Sequence, residues 1–305
     1  MPVKVPTDLP AVEELRDENI FIMRENNAQK QDIRPLKIAI LNLMPLKIMT
    51  ETDLLRLLSN TPLQIEIDFI DVENHISKNT PREHIETFYK KFSEIKNDKY
   101  DGFIITGAPL ELKSFEEVDY WDELCGIFEW AKHHATSTLY ICWAAFAALY
   151  YHYGVIRQIQ EDKISGVFPH HILTPYNPIF RGFDDEFYVP HSRYTYVLKE
   201  NIALHPELTL LAESPESGVY MVMANNGREF FITGHSEYSP RTLDFEYHRD
   251  LAKGINPSIP KHYYRDDDPE KEPIVRWRSH ANLLFTNWLN YFVYQATPYD
   301  RSMIK

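Results

Sequence analysis

The amino-acid sequence predicts an α/β protein in which helices cover both faces of a mostly parallel sheet. Between residues 37 and 154, apolar runs of strand length alternate with segments whose apolar residues have helical spacing. The chain has 305 residues, of which 44% are hydrophobic and 25% charged. This composition excludes wholesale disorder and collagen-like repeats, and the length allows one large α/β domain with embellishments.

The first half of the chain is predicted to run as strand–helix units. The run KIAILNL has strand length, LQIEIDFIDV alternates as a half-buried strand does, and the Ala-rich segment WAAFAALYYHYG ends at a glycine that can close a helix. The predicted strands are 37–43, 63–72, 101–109 and 137–142, and the predicted helices are 50–60, 81–95, 119–135 and 143–154.

After Gly154 the pattern changes to shorter strand-like pieces that could complete the same sheet. These pieces are 187–194, 208–214, 219–225 and 229–238, followed by a predicted helix over 242–254, a charged loop over 266–273 and a long closing helix over 277–296. The organisation predicted from this pattern is an irregular, Pro- and charge-rich N-terminal arm (1–35), a single α/β domain (36–297) and a C-terminal tail (298–305).

Charge and cysteine content narrow the class of protein. The 32 Lys and Arg residues against 45 Asp and Glu residues give a net charge of −13, which argues against broad binding of nucleic acid or of an anionic membrane. The two cysteines are too few for a disulfide scaffold or a four-thiolate zinc site, and they fit a reducing compartment. The sequence begins without the apolar core of a signal peptide, and no apolar run approaches the roughly 20 residues of a membrane span. A cytoplasmic location is therefore expected.

Cys142 is the candidate nucleophile, because it stands between a predicted strand and an Ala-rich helix. At such a turn a side chain projects from the sheet edge, and the free N–H groups of the helix N-terminus favour a thiolate and a developing oxyanion. From position alone, a buried structural cysteine is an equally good interpretation of Cys142. Cys125, in the middle of a helix, is interpreted as structural.

His235 and Glu237 lie in the segment ITGHSEY, just beyond a predicted strand. A cysteine nucleophile needs a base, and the base needs a partner that fixes its tautomer, so this pair could serve Cys142. The pattern alone favours a loop histidine beside a solvated glutamate. Zinc deaminases also use His-X-Glu, but the accompanying Pro-Cys-X-X-Cys is missing. The His-His pairs at 133–134 and 170–171 lack metal-ligand spacing, so no metal is predicted.

Five stretches, LNLMPLKIMTETDLLRLLSN, ITGAPLE, YICWAAFAALYYHYG, GVFPH and GHSEY, resemble in order and spacing the homoserine O-acyltransferases of methionine biosynthesis. That family belongs to the class I glutamine amidotransferase-like superfamily, so the resemblance, which runs over nearly the whole chain, implies its flavodoxin-like fold. It also implies Cys142 as acyl-accepting nucleophile, His235 as base and Glu237 as orienting carboxylate. Tyr140 and Ala144 depart from the Gly-X-Cys-X-Gly elbow of true amidotransferases, which argues against glutaminase activity.

The same resemblance implies substrate-binding roles for Lys163, Ser192 and Arg249, which from sequence alone would be surface residues. Their chemistry is suitable, because arginine is the bidentate partner of an α-carboxylate and Lys and Ser can complete a polar pocket. The main-chain N–H of Leu46 could join that of Trp143 as an oxyanion hole. Because the protein carries a net negative charge, binding the phosphates of coenzyme A requires basic residues close to them. Lys47 is a candidate for this role.

These expectations together describe transfer of an acetyl group from acetyl-CoA to L-homoserine through a thioester, with ping-pong kinetics, no cofactor and no metal. The resemblance implies acetyl transfer because Glu111 stands where a glycine goes with succinyl transfer, and it suggests a homodimer. Three alternatives stay open: a homoserine O-succinyltransferase, a glutaminase or other hydrolase with the same triad, and a non-catalytic binding domain.

Overall fold

The computed structural model describes residues 3–6, 9–17, 23–24, 34–73, 75 and 79–304, and the strands among them form one twelve-stranded sheet. Most of the strand pairs are parallel and helices lie on both faces, so the predicted fold class is confirmed. The strands are β1 (Val3–Val5), β2 (Met23–Arg24), β3 (Leu36–Leu41), β4 (Ile65–Asp71), β5 (Tyr89–Lys91), β6 (Tyr100–Ile105), β7 (Ala135–Ile141), β8 (Gln158–Ile172), β9 (Glu186–Tyr196), β10 (Leu208–Ser214), β11 (Gly218–Ala224) and β12 (Glu229–Ile232).

The helices lie mainly between the parallel strands and near the end of the chain. They are α1 (Ala11–Asp17), α2 (Lys47–Leu58), α3 (Arg82–Phe88), α4 (Phe92–Ile95), α5 (Trp121–His134), α6 (Trp143–Tyr153), α7 (Lys199–Ala203), α8 (Thr242–Ala252) and α9 (Arg278–Asn287), the last continuing as a π-helix over Trp288–Tyr294. No helix of the described part of the chain is long and apolar enough to cross a bilayer.

The strand order places a crevice at the centre of the sheet. Along the sheet the order is β2-β1-β4-β3-β6-β7-β12-β11-β10-β8-β9, with β5 paired to β4. From β3 the chain therefore continues to β4 on one side of β3, and it later returns to form β6 on the other side of β3. At such a reversal the loops that follow the carboxyl ends of the strands diverge and open a binding crevice. The loops after β3, β6 and β7 meet here.

Alternating side chains of the central strands supply two hydrophobic cores, one on each face. On β3, Ile38 and Ile40 pack into the core that contains α2 and α9, whereas Ala39 and Leu41 pack into the core that contains α5 and α6. A strand buried on both faces is expected for a parallel sheet covered by helices. The ends of these strands, and the loops they carry, are thereby held in fixed positions.

The prediction of an irregular arm over residues 1–35 is wrong for the described part of that segment. β1 pairs in parallel with β4, and α1 packs on α2. Val12 and Leu15 are buried in the core because their spacing of three places them on one side of α1, and Leu9, just before the helix, is buried with them. The tail also folds back: Ile304 is buried, and its carbonyl accepts a hydrogen bond from Lys99 at 2.7 Å.

Three further segments differ from their predicted form. The helix predicted over 81–95 is interrupted by β5, where Tyr89 is extended and donates its hydroxyl proton to Glu51 at 2.5 Å. The long strand β8 was not predicted, because its first half is polar and partly exposed. The closing helix changes to π geometry at Trp288, whose indole N–H donates to Ser137 at 2.9 Å.

Candidate active site

A cavity of about 520 Å³ opens at the crevice and collects nearly all of the site residues predicted from the sequence. Its walls come from the loops after β3, β6 and β12, from the turn between β7 and α6, and from α2, β8, β9 and α8. Of the nine predicted residues, all but Trp143 line it, namely Leu46, Glu111, Cys142, Lys163, Ser192, His235, Glu237 and Arg249. The structure brings these side chains together; their individual roles stay predictions.

Cys142 occupies a strained turn between β7 and α6. Its φ of 50° and ψ of −112° lie in a region that side-chain-bearing residues rarely adopt, and its N–H donates to Ile232 on the neighbouring strand at 2.6 Å. Strained nucleophile elbows have this strand-turn-helix form. The thiol is 3% exposed and sits at the N-terminus of α6, where the helix dipole favours an anion.

The loop after β6 passes directly beside the cysteine because it contains Gly107. A methyl group at this position would lie 3.3 Å from Cβ of Cys142 and 3.6 Å from Cε1 of His235. The first distance is tighter than ordinary van der Waals contact, so a side chain at this position would press on Cys142, whereas the second is an ordinary contact. Glycine therefore allows the loop after β6 to approach the thiol closely.

His235 and Glu237 form a tight pair in the loop after β12. Nδ1 of His235 lies 2.6 Å from Oε1 of Glu237, and the main-chain N–H of His235 donates to Pro190 on β9 at 2.8 Å. Burial alone would lower the pKa of His235, but the negative charges of Cys142 and Glu237 and hydrogen bonds with both outweigh it and raise that pKa well above its usual value. The geometry can therefore hold a thiolate–imidazolium pair.

Sequence reasoning missed Glu246, which connects three groups at one end of the cavity. Its carboxylate accepts hydrogen bonds from the Ser192 hydroxyl, from the Tyr238 hydroxyl at 3.0 Å and from Lys163 Nζ at 3.4 Å. The only sequence signal for Glu246 is its position one turn before Arg249 on α8. Nothing in the pattern indicated that β8, β9 and α8 would converge.

Arg249 lies at the same end of the cavity beside a second carboxylate. Its Nε and Nη2 each lie 2.8 Å from Oδ1 of Asp250. Lys163 is also within 3.9 Å of Asp250. Two cations, two carboxylates and two hydroxyls thus surround this end of the cavity, which suits a small zwitterion better than an apolar ligand.

Glu111 lines the cavity near the reactive residues. Burial raises the pKa of Glu111, while the positive charges of Lys163 and His235 act in the opposite direction. A second carboxyl that sequence reasoning missed, Asp53 on α2, also lines the cavity. Burial raises the pKa of Asp53 to about 7 although its ion pair with Arg56, at 2.7 Å, opposes the shift.

The proposed oxyanion-hole residues occupy the starts of two helices. Leu46 immediately precedes α2 and lines the cavity, and Trp143 is the first residue of α6, fully buried behind Cys142. Lys47, the candidate cation for coenzyme A phosphates, is buried and pairs with Asp71 at 3.2 Å. Because this charge already has a partner, Lys47 is not a free surface cation.

Comparison with known sequences identifies close relatives along the whole chain. The family model described as homoserine O-succinyltransferase matches residues 2–299. Homoserine O-acetyltransferases of Bacteroides fragilis (64% identity over 300 residues, 98% of each chain) and Phocaeicola vulgatus (62% over 305 residues, all of each chain) are similar. The homoserine O-acetyltransferase of Acetivibrio thermocellus is 56% identical over 305 residues, again all of each chain. The names agree on homoserine acylation and differ in the acyl group.

Comparison with solved structures identifies more distant neighbours. A glutamine amidotransferase from Thermotoga maritima superposes with a TM-score of 0.54 at 14% identity, covering 84% of this chain and 98% of that one. A glutamine amidotransferase from Methylobacillus flagellatus gives 0.53 at 10% identity, covering 85% and 95%. At these identities the likeness concerns the fold alone, and it confirms the glutamine amidotransferase-like fold expected from the sequence.

Proposed function

The chain belongs to the homoserine O-succinyltransferase family, whose named members acylate homoserine, and we propose that it transfers an acetyl group from acetyl-CoA to the γ-hydroxyl of L-homoserine. The observation that carries the proposal is that the elbow residue Cys142 and the pair His235–Glu237 share one cavity with Lys163 and Arg249. A nucleophile with a base is thus within reach of a polar pocket for the acceptor. Neither half-reaction of this transfer uses a metal or a redox group.

The first half-reaction loads the enzyme. His235 takes the thiol proton of Cys142, and the thiolate attacks the thioester carbonyl of acetyl-CoA. The main-chain N–H groups of Leu46 and Trp143 would stabilise the tetrahedral oxyanion. When this intermediate collapses, the bond to the CoA sulfur breaks, the CoA thiolate takes the proton from His235, and the acetyl group remains on Cys142.

The second half-reaction transfers the group. His235 takes the proton of the homoserine hydroxyl, whose oxygen attacks the thioester on Cys142. Collapse breaks the carbon–sulfur bond, and the cysteine regains its proton from His235. We assign the α-carboxylate of homoserine to Arg249 and the rest of its polar surface to Lys163 and Ser192. CoA can leave before homoserine reacts, so the kinetics are ping-pong.

The choice of acetyl as donor rests on Glu111 and on the names of the relatives. A glutamate side chain in the cavity fills space that a longer acyl chain would need, and its charge opposes the free carboxylate of a succinyl group. Acetyl carries no such charge. The family description names succinyl transfer, which is the second candidate.

Mass spectrometry after mixing the protein with acetyl-CoA, without homoserine, tests the mechanism. One acetyl mass should appear on the peptide that contains Cys142, and Cys142→Ala should abolish both the adduct and turnover. Cys125→Ala is the matched control, because Cys125 lies in the middle of α5 outside the cavity, and it should keep both. An adduct on Cys125, or full activity of Cys142→Ala, contradicts the mechanism. Light scattering of the same sample tests whether the protein is a homodimer, as the family resemblance suggests.

A further inference from the structure

Arg193 on β9 is a fully buried cation without a carboxylate partner among the described residues. Its side chain is 0% exposed. The guanidinium donates from its two terminal nitrogens to the main-chain carbonyls of Thr195 and Ser217, and Nε donates to Nδ1 of His191 at 3.2 Å. All of these acceptors are neutral groups. A buried charge that lacks a counter-charge is costly, so its presence needs a reason.

Two neutral histidines hold this arginine in place. Nδ1 of His191 accepts from Arg193, so the proton of His191 must lie on Nε2, which is 3.1 Å from Nε2 of His170. His170 is oriented by Nδ1, which donates to the Phe168 carbonyl at 2.9 Å and leaves Nε2 as the acceptor. Burial lowers the pKa of His170 to about 3 and that of His191 well below its usual value. Both rings therefore stay neutral, and the chain of donors runs in one direction.

The cation lies beside the first turn of α6, the helix that begins directly after Cys142. The guanidinium is 5.8 Å from the ring centre of Phe146, and the N–H of Phe146 donates to the Cys142 carbonyl at 3.2 Å, in the first turn of α6. Burial lowers the pKa of Arg193 to about 10, although a thiolate on Cys142 and the carboxylate of Glu111 act in the opposite direction. The guanidinium is therefore charged at neutral pH.

We propose that Arg193 is the fixed positive charge that stabilises the thiolate of Cys142, and that His191 and His170 position it. The inference rests on the proposed function, in which the Cys142 thiol loses its proton to His235. The arginine does not touch substrate; it acts through its field on the sulfur. A neighbouring arginine is one of the environments that favour a cysteine thiolate. It would also explain why the fold keeps an uncompensated charge in its interior.

Other charged groups contribute to the same field and set the background for any test. His235 hydrogen-bonds to the thiol, while the remaining titratable groups that face the cavity from the loops after β6 and β12 and from α2, β8, β9 and α8 are Glu111, Lys113, Glu237, Tyr238, Asp53, Lys163, Tyr194, Glu246, Arg249 and Asp250. A variant of Arg193 leaves all of these in place.

The test is the pH dependence of Cys142 alkylation by iodoacetamide, followed by mass spectrometry without any substrate. In Arg193→Met, the pH of half-maximal rate should rise by about one unit or more, which slows alkylation about tenfold at a fixed pH below that midpoint. Arg193→Lys, which keeps the charge, should stay close to wild type. An unchanged midpoint in folded Arg193→Met overturns the proposal.

A matched control and an internal reference keep the test decisive. Arg228 also donates to two main-chain carbonyls, of Lys132 and Ala135, but it lies at the opposite end of β7 from Cys142, so Arg228→Met should leave the midpoint unchanged. Alkylation of Cys125 in the same samples reports on folding. If Arg193→Met does not fold, Arg193→Lys provides the test. This variant keeps the positive charge, so a midpoint shifted by one pH unit or more would mean that Arg193 has a structural role and would overturn the proposal. Because no acyl donor is used, failure here is distinguishable from loss of the acetyl adduct.

Discussion

Nδ1 of His235 lies 2.6 Å from Oε1 of Glu237, only two positions further along the chain. The proposed base and the group proposed to orient it therefore come from one loop, and the loop itself is fixed by the hydrogen bond from His235 to Pro190 on β9. With Nδ1 engaged, Nε2 is the nitrogen left for the thiol of Cys142. The local pair thus sets the tautomer that proton transfer requires.

Replacing each member of this pair should have a different effect. His235→Ala removes the base and should lower kcat by a factor of about 10²–10⁴. Glu237→Gln keeps the shape but removes a negative charge, so the pKa of His235 falls. The imidazolium then loses its proton at lower pH, and the alkaline limb of the acylation rate moves to lower pH. Rates of single-turnover acetylation across pH measure both effects. Wild-type turnover in His235→Ala would place the base elsewhere.

Gly107→Ala should impair catalysis more than folding. The added methyl would lie 3.3 Å from Cβ of Cys142, so the elbow must shift by a few tenths of an ångström. Because misplacement by about 1 Å can cost about 10² in rate, we expect a fall of about tenfold in the acetylation rate. Gly126→Ala on α5 is the control, since its methyl meets nothing within 4 Å and helix propensity favours alanine. Equal kcat for both variants would contradict the close approach.

Glu111→Gly should change the donor preference. Wild type should prefer acetyl-CoA, and the ratio of kcat/KM for the two donors should move toward succinyl-CoA in the variant, because both the bulk and the opposing charge are removed. Glu117→Gly is a suitable control, because Glu117 lies six positions further along the chain, is exposed and does not line the cavity. An unchanged ratio would remove Glu111 from the acyl pocket. A wild-type preference for succinyl-CoA would overturn the assigned donor.

Arg249→Ala should raise KM for homoserine by about ten- to hundredfold, the loss expected for a charged hydrogen bond. KM for acetyl-CoA should change much less, because only the acceptor carries the α-carboxylate. Arg241→Ala is the control: this arginine precedes the same helix, pairs with Glu272 and lies outside the cavity. Initial-rate kinetics with each substrate varied in turn measure the difference. Equal changes in both KM values would assign Arg249 to structure.

The buried neutral His170 should make the protein less stable in mild acid. The unfolded histidine binds a proton near pH 6.5, whereas burial lowers the pKa of folded His170 to about 3. Between these values the unfolded state holds the extra proton, so stability falls as pH falls. From pH 7 to pH 5 this one group should cost about 2 kcal/mol of unfolding free energy. His170→Gln should lose that pH-dependent part in denaturant titrations. An identical pH dependence in both proteins would contradict it.

The parallel half of the fold was predictable because its signal is local. Strands such as the one predicted over 63–72 and helices such as 143–154 were located within a residue or two, since apolar periodicity and the left-handed closing residue Gly154 mark them directly. β8 escaped because a partly exposed edge region carries no alternating pattern. β5 escaped because the side chain of Tyr89 is held by Glu51, a residue 38 positions away.

The same distinction applies to the site. The junction of strand and helix made Cys142 a candidate, whereas the spacing of His235 and Glu237 alone favoured a solvated loop pair, and the family resemblance was needed to propose them as its partners. Glu246 and Arg193 carry no such signal: their partners come from different strands and loops, and only the assembled sheet brings them together. A single sequence does not show which residues far apart in the chain come into contact in the folded protein.

The division of the sheet into a parallel and an antiparallel half has an evolutionary consequence. The parallel half supplies the thiol and the loop that carries Glu111, whereas Lys163 and Ser192 come from the antiparallel hairpin of β8 and β9. With the roles proposed above, mutation at residue 111 exchanges the acyl donor and keeps the amino-acid acceptor, whereas changes in the hairpin alter the acceptor and keep the donor. On that proposal, substrate pairs diverge one member at a time while the thiol chemistry is inherited unchanged.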